Sequence, residues 1–139
     1  MTKDDCIFCK LANGVFPTHT VYEDEDFRVI LDASPANYGH SLIIPKQHSD
    51  NLFSLDEETA RKVLPLAAKI GSALTDTLKC DGINVVQNNG TAAGQTVFHF
   101  HTHVIPRYDD DKCGIGWPQK TVEDDAQAEL AAKISSAIN

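Results

Sequence analysis

The chain has 139 residues, a length that suits one domain with a single core. Its formal net charge is −8 with the histidines neutral, which argues against a general nucleic-acid binder because such proteins carry a basic face. The first residues are polar and no apolar run approaches roughly 18 residues, so the sequence predicts neither a signal peptide nor a membrane span. We therefore expect a cytoplasmic protein that does not bind membranes.

The first motif along the chain is a cysteine pair, Cys6 and Cys9, in a C-x-x-C spacing. In a reducing cytosol such a pair indicates a metal site or a redox site rather than a structural disulfide. The redox alternative requires a following helix, whereas Asn13, Gly14 and Pro17 follow within a few residues, so we favour the metal site. A structural zinc ion needs two further ligands. The candidates are His19, His40, His48 and the three histidines at 99, 101 and 103.

The apolar pattern then predicts a series of strands and helices. Short strands over 20–23 and 27–31 flank an acidic turn, and a nearly continuous apolar run over 40–45 predicts a third, central strand that ends at Pro45. A capping box at 54–57 opens one long helix over 55–79, with Leu64 on its apolar face and a kink at Pro65. A fourth strand covers 83–87, and 121–138 is expected as an amphipathic helix packed on the body or on a partner.

Two loops leave their role open on the residue pattern alone. The small residues of 88–96 can bring backbone N–H groups close to an anion, or can form a flexible hairpin connection. The position of this loop, directly before the histidine-rich segment, favours the anion site. Asp32 stands in a turn after the second strand, where the pattern alone favours a capping role.

The segment 97–105 carries three histidines at a spacing of two residues. Its alternation predicts a strand on which His99, His101 and His103 share one face, while the residues between them face the core. On a straight strand the outer two rings would lie about 13 Å apart, so one metal ion cannot bind both. The three rings therefore need at least two roles, and a merely solvated polar face is the weaker alternative.

The stretch His99-Phe-His101-Thr-His103-Val-Ile-Pro-Arg resembles the signature of the histidine-triad (HIT) family of nucleotidyl hydrolases and transferases. Trp117 and Pro118 resemble a C-terminal feature of the family's Hint branch, whereas Thr102 stands where the family usually has a bulkier apolar residue. Six further blocks resemble those of the family, in its order: CIFCK at 6–10, LDASP at 31–35, GH at 39–40, IPKQH at 44–48, DGIN at 81–84 and AGQT at 93–96.

This resemblance implies an α+β fold in a single HIT-like domain over 1–139, with the motifs in 6–107 and a tail over 108–139. The expected architecture is an antiparallel sheet of about five strands, one long helix and a C-terminal helix. We expect the pocket on the sheet face away from the long helix. The resemblance also implies a homodimer in which the long helices and the sheets of two subunits meet.

The resemblance further implies a double displacement at the α-phosphate of a purine nucleotide derivative. His101 would attack phosphorus and form a nucleotidyl-histidine that water hydrolyses, and His103 would stabilise charge on the phosphate or the leaving group. His40 would support these two rings. The implied nucleotide-binding residues are Ile30 and Leu31 at the base, Asp32 at the ribose, Asn88 on the phosphate side, and Gly94, Gln95 and Thr96 around the phosphate oxygens.

In relatives that keep the C-x-x-C motif, the first triad histidine and an upstream histidine complete a zinc site. Here the resemblance implies a closed, structural four-ligand zinc site, and an empty site with two free thiols is the alternative. The implied ligands are Cys6, Cys9, His48 and His99.

Two other functions remain open on the sequence. A zinc metallohydrolase could use the His-x-His pattern with a zinc-bound water as nucleophile, and it predicts loss of activity on chelation without a covalent intermediate. A non-enzymatic nucleotide-binding module predicts tight mononucleotide binding without turnover.

Overall fold

A computed structural model of the chain describes residues 1–138. Within them, five strands form an antiparallel sheet in the order β1-β2-β3-β5-β4, which confirms the predicted α+β class. The elements in chain order are α1 Ile7–Ala12, β1 Thr20–Glu23, β2 Phe27–Leu31, β3 Ser41–Pro45, α2 Glu57–Leu78, β4 Gly82–Val86, a 3₁₀ turn Thr91–Ala93, β5 Thr102–Arg107 and α3 Asp124–Ala137.

The sheet has two differently covered faces. On one face, Val29, Ile43 and Val104 pack against α2 and form the larger core cluster. On the other face, Ile30, Leu42 and Ile44 are covered in part by α1. Leu42 is the cross-strand partner of His103, and directly opposite residues of an antiparallel pair point to the same face. His103 therefore lies on the sheet face away from α2.

The third predicted strand is confirmed as central, since β3 lies between β2 and β5 and all its residues are buried. The predicted long helix is also confirmed, but its N-terminal cap is different. Asp56 is the N-cap, and its carboxylate accepts a hydrogen bond from the N–H of Thr59 at 2.9 Å. Ser54 bonds instead with Asn51 in the turn before the helix, so the predicted capping box is wrong.

The face of α2 that packs on the sheet also differs in part from the prediction. Leu66 and Ile70 are buried, whereas Leu64, which the pattern placed on the apolar face, is 68% exposed. A 22-residue helix on a twisted sheet buries a narrower stripe than a count of its apolar residues suggests. Leu64 lines a surface depression of about 630 Å³ between α2 and β4.

The predicted histidine strand is wrong in its first half, because β5 begins only at Thr102. Before it, His99 is fully buried and Phe98 is 50% exposed, so the chain does not follow strand alternation there. The cause is a pair of bonds to the end of β3 and to the segment after it. The N–H of Phe100 donates to the carbonyl of Ser49, and the His99 ring donates to the carbonyl of Pro45. These contacts turn the chain out of the β-ladder.

The two terminal helices each add something to the sequence prediction. The short helix α1 begins directly after Cys6 and was not predicted; it precedes the first strand, so it does not create the βαβ unit of a redox motif. The predicted C-terminal helix is present as α3, but all of its residues are exposed, so it does not pack on the body of this subunit. Within residues 1–138, no helix has the length and apolar content needed to cross a bilayer.

Candidate metal centre and active site

Four side chains from distant parts of the chain meet beside α1. Their donor atoms all lie within 4.8 Å of one another, and they are the predicted set of Cys6, Cys9, His48 and His99. The Nδ1 atom of His99 is 3.4 Å from both sulfur atoms, and the Nδ1 atom of His48 is 3.4 Å from the Cys9 sulfur. A tetrahedral zinc ion with two sulfur and two nitrogen ligands requires S···N separations of about 3.5 Å. The donor set therefore fits zinc in both chemistry and spacing.

The outer ring nitrogens of both histidines are engaged in the way a metal site requires. His99 Nε2 lies 2.8 Å from the Pro45 carbonyl oxygen, and His48 Nε2 lies 2.7 Å from a carboxylate oxygen of Asp50. Both acceptors hold the ring proton on Nε2, so both Nδ1 lone pairs face the sulfur atoms. Burial raises the pKa of the Cys9 thiol, and a bound cation supplies the charge that stabilises a buried thiolate.

The middle histidine is oriented for a different task. His101 Nδ1 lies 2.7 Å from the main-chain carbonyl oxygen of His99. A carbonyl only accepts, so Nδ1 carries the proton and Nε2 keeps its lone pair. The edge of the Phe8 ring packs against His101 with the ring centroids 4.8 Å apart. Burial lowers the pKa of His101, which keeps this ring neutral near pH 7.

The third histidine belongs to a short relay. The N–H of Ala36 donates to His40 Nδ1 at 2.9 Å, so the His40 proton is on Nε2. That Nε2 lies 2.8 Å from His103 Nδ1 and 3.5 Å from a carboxylate oxygen of Asp32. His103 Nδ1 must therefore accept, which leaves the remaining His103 proton on Nε2. Burial, with His101 and His40 nearby, lowers the pKa of His103 to about 4.

The relay residues also bring three possible metal-binding atoms within 4.8 Å of one another, on Asp32, His40 and His103. A metal ion there would need the lone pair of His40 Nε2. That nitrogen carries a proton, because the Ala36 N–H already occupies the Nδ1 lone pair. This arrangement argues against a metal ion at this group of three residues.

The predicted nucleotide-binding residues of β2 and of the turn after it line one cavity together with His101 and His103. The cavity measures about 1130 Å³ in all, and its lining extends from the two rings to residues of α2 such as Ile70 and Leu74. Leu31 and Asp32 lie at its wall, and one carboxylate oxygen of Asp32 accepts the N–H of Ser34 at 2.8 Å. The predicted base and ribose residues therefore lie beside the two rings.

The loop at 88–96 is arranged differently from the expectation. The side chain of Gln95 is 2% exposed, donates to the carbonyls of Asp50 and Val97, and accepts from the N–H of Gly90. The N–H groups of Gly94 and Gln95 also donate within the loop. The side chain of Gln95 therefore shapes this loop, and its predicted contact with phosphate oxygens stays a prediction. Thr96 lines the cavity, and the amide of Asn88 lies beside Gly94, about where a side chain at that position would pack.

Sequence reasoning missed two contributors to the site. Phe8 lies between the two cysteines, and its contact with His101 depends on the unpredicted helix α1. An apolar residue inside the C-x-x-C motif was the available signal. Ala36 acts through its backbone N–H, a group that every non-proline residue carries, so no residue type indicated it.

Comparison with known proteins agrees with this geometry. A family model described as the HIT domain matches residues 13–110. The protein hit of Bacillus subtilis is 42% identical over 135 residues, covering 97% of this chain and 92% of the relative. The adenosine 5'-monophosphoramidase hnt1 of Schizosaccharomyces pombe is 36% identical over 134 residues, covering 96% and 98%. The chain belongs to the HIT family.

A solved structure of a zinc-bound histidine-triad family protein from Mycobacterium smegmatis is also similar. It superposes with a TM-score of 0.76 at 36% identity, covering 96% of this chain and 97% of that protein. The cysteine and histidine cluster is consistent with the Hint-like branch that the sequence indicated.

Proposed function

We propose that this protein cleaves purine nucleotide derivatives at the α-phosphate through a covalent nucleotidyl-histidine on His101. The observation that carries the proposal is the hydrogen bond from His101 Nδ1 to the His99 carbonyl at 2.7 Å. It leaves the Nε2 lone pair available in a cavity lined by residues of β2. A neutral, oriented imidazole is the form a nitrogen nucleophile needs.

In the first step, the Nε2 lone pair forms a bond to phosphorus, and the bond to the leaving group breaks with its electrons on that group. The ring of His101 becomes positive. The His99 carbonyl stabilises this charge, because it accepts a hydrogen bond from the Nδ1–H group. The Nε2–H of His103 donates to an oxygen on which negative charge develops. Water then forms a bond to phosphorus, and the bond from phosphorus to His101 Nε2 breaks with its electrons on the ring. A proton of this water passes to solvent, and the nucleoside monophosphate and the neutral ring are released.

The cavity supplies the contacts that hold the nucleotide. Ile30 and Leu31 offer an apolar wall for the base, and Asp32 offers carboxylate lone pairs for the ribose hydroxyls. Asn88, Thr96 and the backbone at Gly94 are proposed to contact the phosphate side, with Gln95 holding their loop closed. A nucleoside phosphoramidate or a dinucleoside polyphosphate is the proposed substrate type, and a relative named adenosine 5'-monophosphoramidase supports the first.

Zinc is proposed as a structural component held by Cys6, Cys9, His48 and His99. All four positions of a tetrahedral ion are taken by these side chains, so the ion would stabilise the local fold and leave no site for water. Its role would be to hold α1 and the segment before β5 together, and thereby the Phe8 ring against His101.

The decisive experiment is intact-protein mass spectrometry after a rapid acid-free quench of the enzyme mixed with an adenosine phosphoramidate. We expect a mass increase of one adenylyl group, present with and without a chelator and absent in His101→Ala. Turnover that is abolished by chelation, with no adduct, would instead support the metallohydrolase. Tight mononucleotide binding without turnover of either substrate type would support the binding module.

We further propose a homodimer through the depression between α2 and β4. Its lining includes Leu64, Gly71 and Val85, and Leu64 and Val85 are exposed in the single subunit. Sedimentation of the wild type is expected to give the mass of two chains. Leu64→Glu should shift it to one chain, whereas Leu130→Glu on α3 should not. A wild type of single-chain mass at micromolar concentration would contradict this proposal.

A further inference from the structure

His40 closes the neck of the loop over residues 32–40. Its carbonyl accepts the N–H of Asp32 at 2.9 Å, and its own N–H donates to the carbonyl of Asn37 at 3.0 Å. The N–H of Ala36 reaches back to His40 Nδ1 at 2.9 Å. The tautomer of His40, and with it the relay to His103, therefore depends on the conformation of this loop.

The far end of the loop is tied to another part of the fold by one side chain. Asn37 Nδ2 donates to the main-chain carbonyl of Pro106 in β5 at 3.0 Å and to a carboxylate oxygen of Asp111 at 2.9 Å. Asn37 follows Ala36 in the chain, so these two bonds hold the backbone next to the peptide unit that presents the Ala36 N–H. The neighbouring residue Tyr38 is 81% exposed and supplies no comparable anchor.

The carboxylate that receives Asn37 is itself held firmly. Asp111 accepts a two-pronged ion pair from Arg107, at 2.8 and 2.9 Å, and the N–H groups of Tyr108 and Cys113, both at 2.9 Å. Its side chain is 8% exposed. A third arm of the guanidinium reaches the side-chain oxygen of Asn84 in β4 at 2.7 Å. The cluster thus connects the loop at 32–40 with both strands at that edge of the sheet.

The backbone on both sides of Asp111 has an unfavourable conformation. Asp110 and Lys112 have φ angles of 60° and 58°, in the left-handed region that residues other than glycine rarely adopt. Such strain persists only where the surrounding contacts impose it, and it is concentrated at functional positions. Here the result is that the carboxylate of Asp111 points back at Arg107 and Asn37.

We propose that Asn37 and Asp111 are positioning residues for His40. They hold the loop in the conformation in which the Ala36 N–H donates a hydrogen bond to His40 Nδ1. This contact keeps the His40 proton on Nε2, from which it forms the hydrogen bond to His103. The expected effect on turnover rests on the proposed function, whereas the effect on the His40 tautomer does not.

We call the bonds of Asn37 with Pro106 and Asp111 the clamp. Loss of the clamp should impair the chemical step more than substrate binding. Without the Ala36 contact, His40 can place its proton on Nδ1, and His103 is then no longer held as an Nε2 donor. The base wall at Ile30 and Leu31 is formed by β2, outside this loop. Asp32, proposed at the ribose, is held by its bonds with the His40 carbonyl and the Ser34 N–H, neither of which involves Asn37. A small misplacement of a charge-stabilising donor reduces turnover by about 10- to 100-fold.

The test combines imidazole nitrogen NMR with steady-state kinetics on the full-length protein at pH 8. The variants are Asn37→Ala and Asp111→Asn. The matched control is Asp81→Asn. Asp81 also accepts a backbone N–H from the turn that contains Asp111, that of Asp109, but it makes no contact with Asn37. Thermal melts of all variants report the folded state, and Asn37→Ala serves as the main variant if Asp111→Asn folds poorly.

We expect the wild type and Asp81→Asn to show His40 with an unprotonated Nδ1 and a protonated Nε2. In Asn37→Ala the two tautomers should mix, kcat should fall about 10-fold or more, and KM should change less than threefold. An unaltered His40 tautomer in a folded Asn37→Ala overturns the inference, as does an altered tautomer with unaltered kcat. If the wild type has no nucleotidyl activity, the proposed function fails, while the NMR result still decides whether the clamp sets the tautomer.

Discussion

Two histidine clusters lie side by side in this protein and use the same side chain for opposite purposes. In the cluster with the cysteines, both rings keep the proton on Nε2 and direct Nδ1 lone pairs at two sulfur atoms. In the cluster at the cavity, His101 keeps its proton on Nδ1 and presents the Nε2 lone pair, while His103 presents an Nε2 proton. The clusters differ in the hydrogen-bond partner that holds one ring nitrogen of each histidine and so decides what the other nitrogen presents.

This contrast shows that the role of a histidine is set by the partner of its second nitrogen. His99 and His101 are two residues apart, and the single residue His99 serves both clusters: its ring faces the cysteines while its main-chain carbonyl fixes His101. The two clusters are therefore mechanically joined, although we propose that one holds an ion and the other reacts with phosphorus.

The largest expected effect comes from removing the proposed nucleophile. His101→Ala should lower kcat/KM by about 10⁴-fold or more, because no other lone pair is presented at that position. Steady-state assays with an adenosine phosphoramidate measure the loss, and titration calorimetry with adenosine monophosphate should give a Kd within a few-fold of wild type. Retention of most activity would place the nucleophile elsewhere.

Breaking the other cluster should reduce stability first. Cys9→Ser should abolish the stoichiometric zinc content and lower the free energy of unfolding by about 3 kcal/mol or more, since metal binding is coupled to local folding. Elemental analysis and urea denaturation measure the two effects. Cys80→Ala, which removes a buried thiol outside the cluster, should keep its zinc. Equal zinc content in both variants would contradict the assignment.

Removal of the proposed charge-stabilising donor should have an intermediate effect. His103→Ala should lower kcat by about 10²-fold with little change in KM, because its Nε2–H acts mainly on charge that develops during the reaction. Single-turnover kinetics at saturating substrate measure this step. A rise in KM with unchanged kcat would show that His103 contributes only to substrate binding.

The smallest expected effect is a dependence of stability on pH. His103 has its pKa lowered to about 4 in the folded chain, mainly by burial, whereas the unfolded chain has the ordinary value near 6.5. The unfolded state therefore binds more protons between these values, so this contribution is complete above pH 6.5 and is lost as the pH falls toward 4. Urea denaturation between pH 7.5 and 4.5 should show that loss, and His103→Ala should reduce its slope. A slope equal to wild type would contradict it.

Much of the architecture follows from local patterns. The alternation over 20–31 located β1 and β2, and the apolar run after Gly39 located β3 as a central strand. The helical spacing after residue 55 located α2 to within two residues at its start. These predictions succeed because burial on one face imposes a period that the chain itself displays.

The failures occur where distant backbone groups replace the local pattern. The strand that the alternation extended back to residue 97 starts at Thr102, because the segment before it bonds to Ser49 and Pro45. The competing partners there come from another segment. The side chain of Gln95 also donates to a carbonyl of another segment, that of Asp50, and accepts from the N–H of Gly90 in its own loop, and its predicted contact with phosphate oxygens stays a prediction.

The sequence by itself determined which side chains are available: two cysteines at one spacing, three histidines at another, and the blocks that mark the HIT family. Only the tertiary structure decided what each ring does. A tautomer is fixed by one donor or acceptor at hydrogen-bond distance. For His99 and His40 these partners are the backbone groups of Pro45 and Ala36, which every peptide unit carries and which folding alone brings into place.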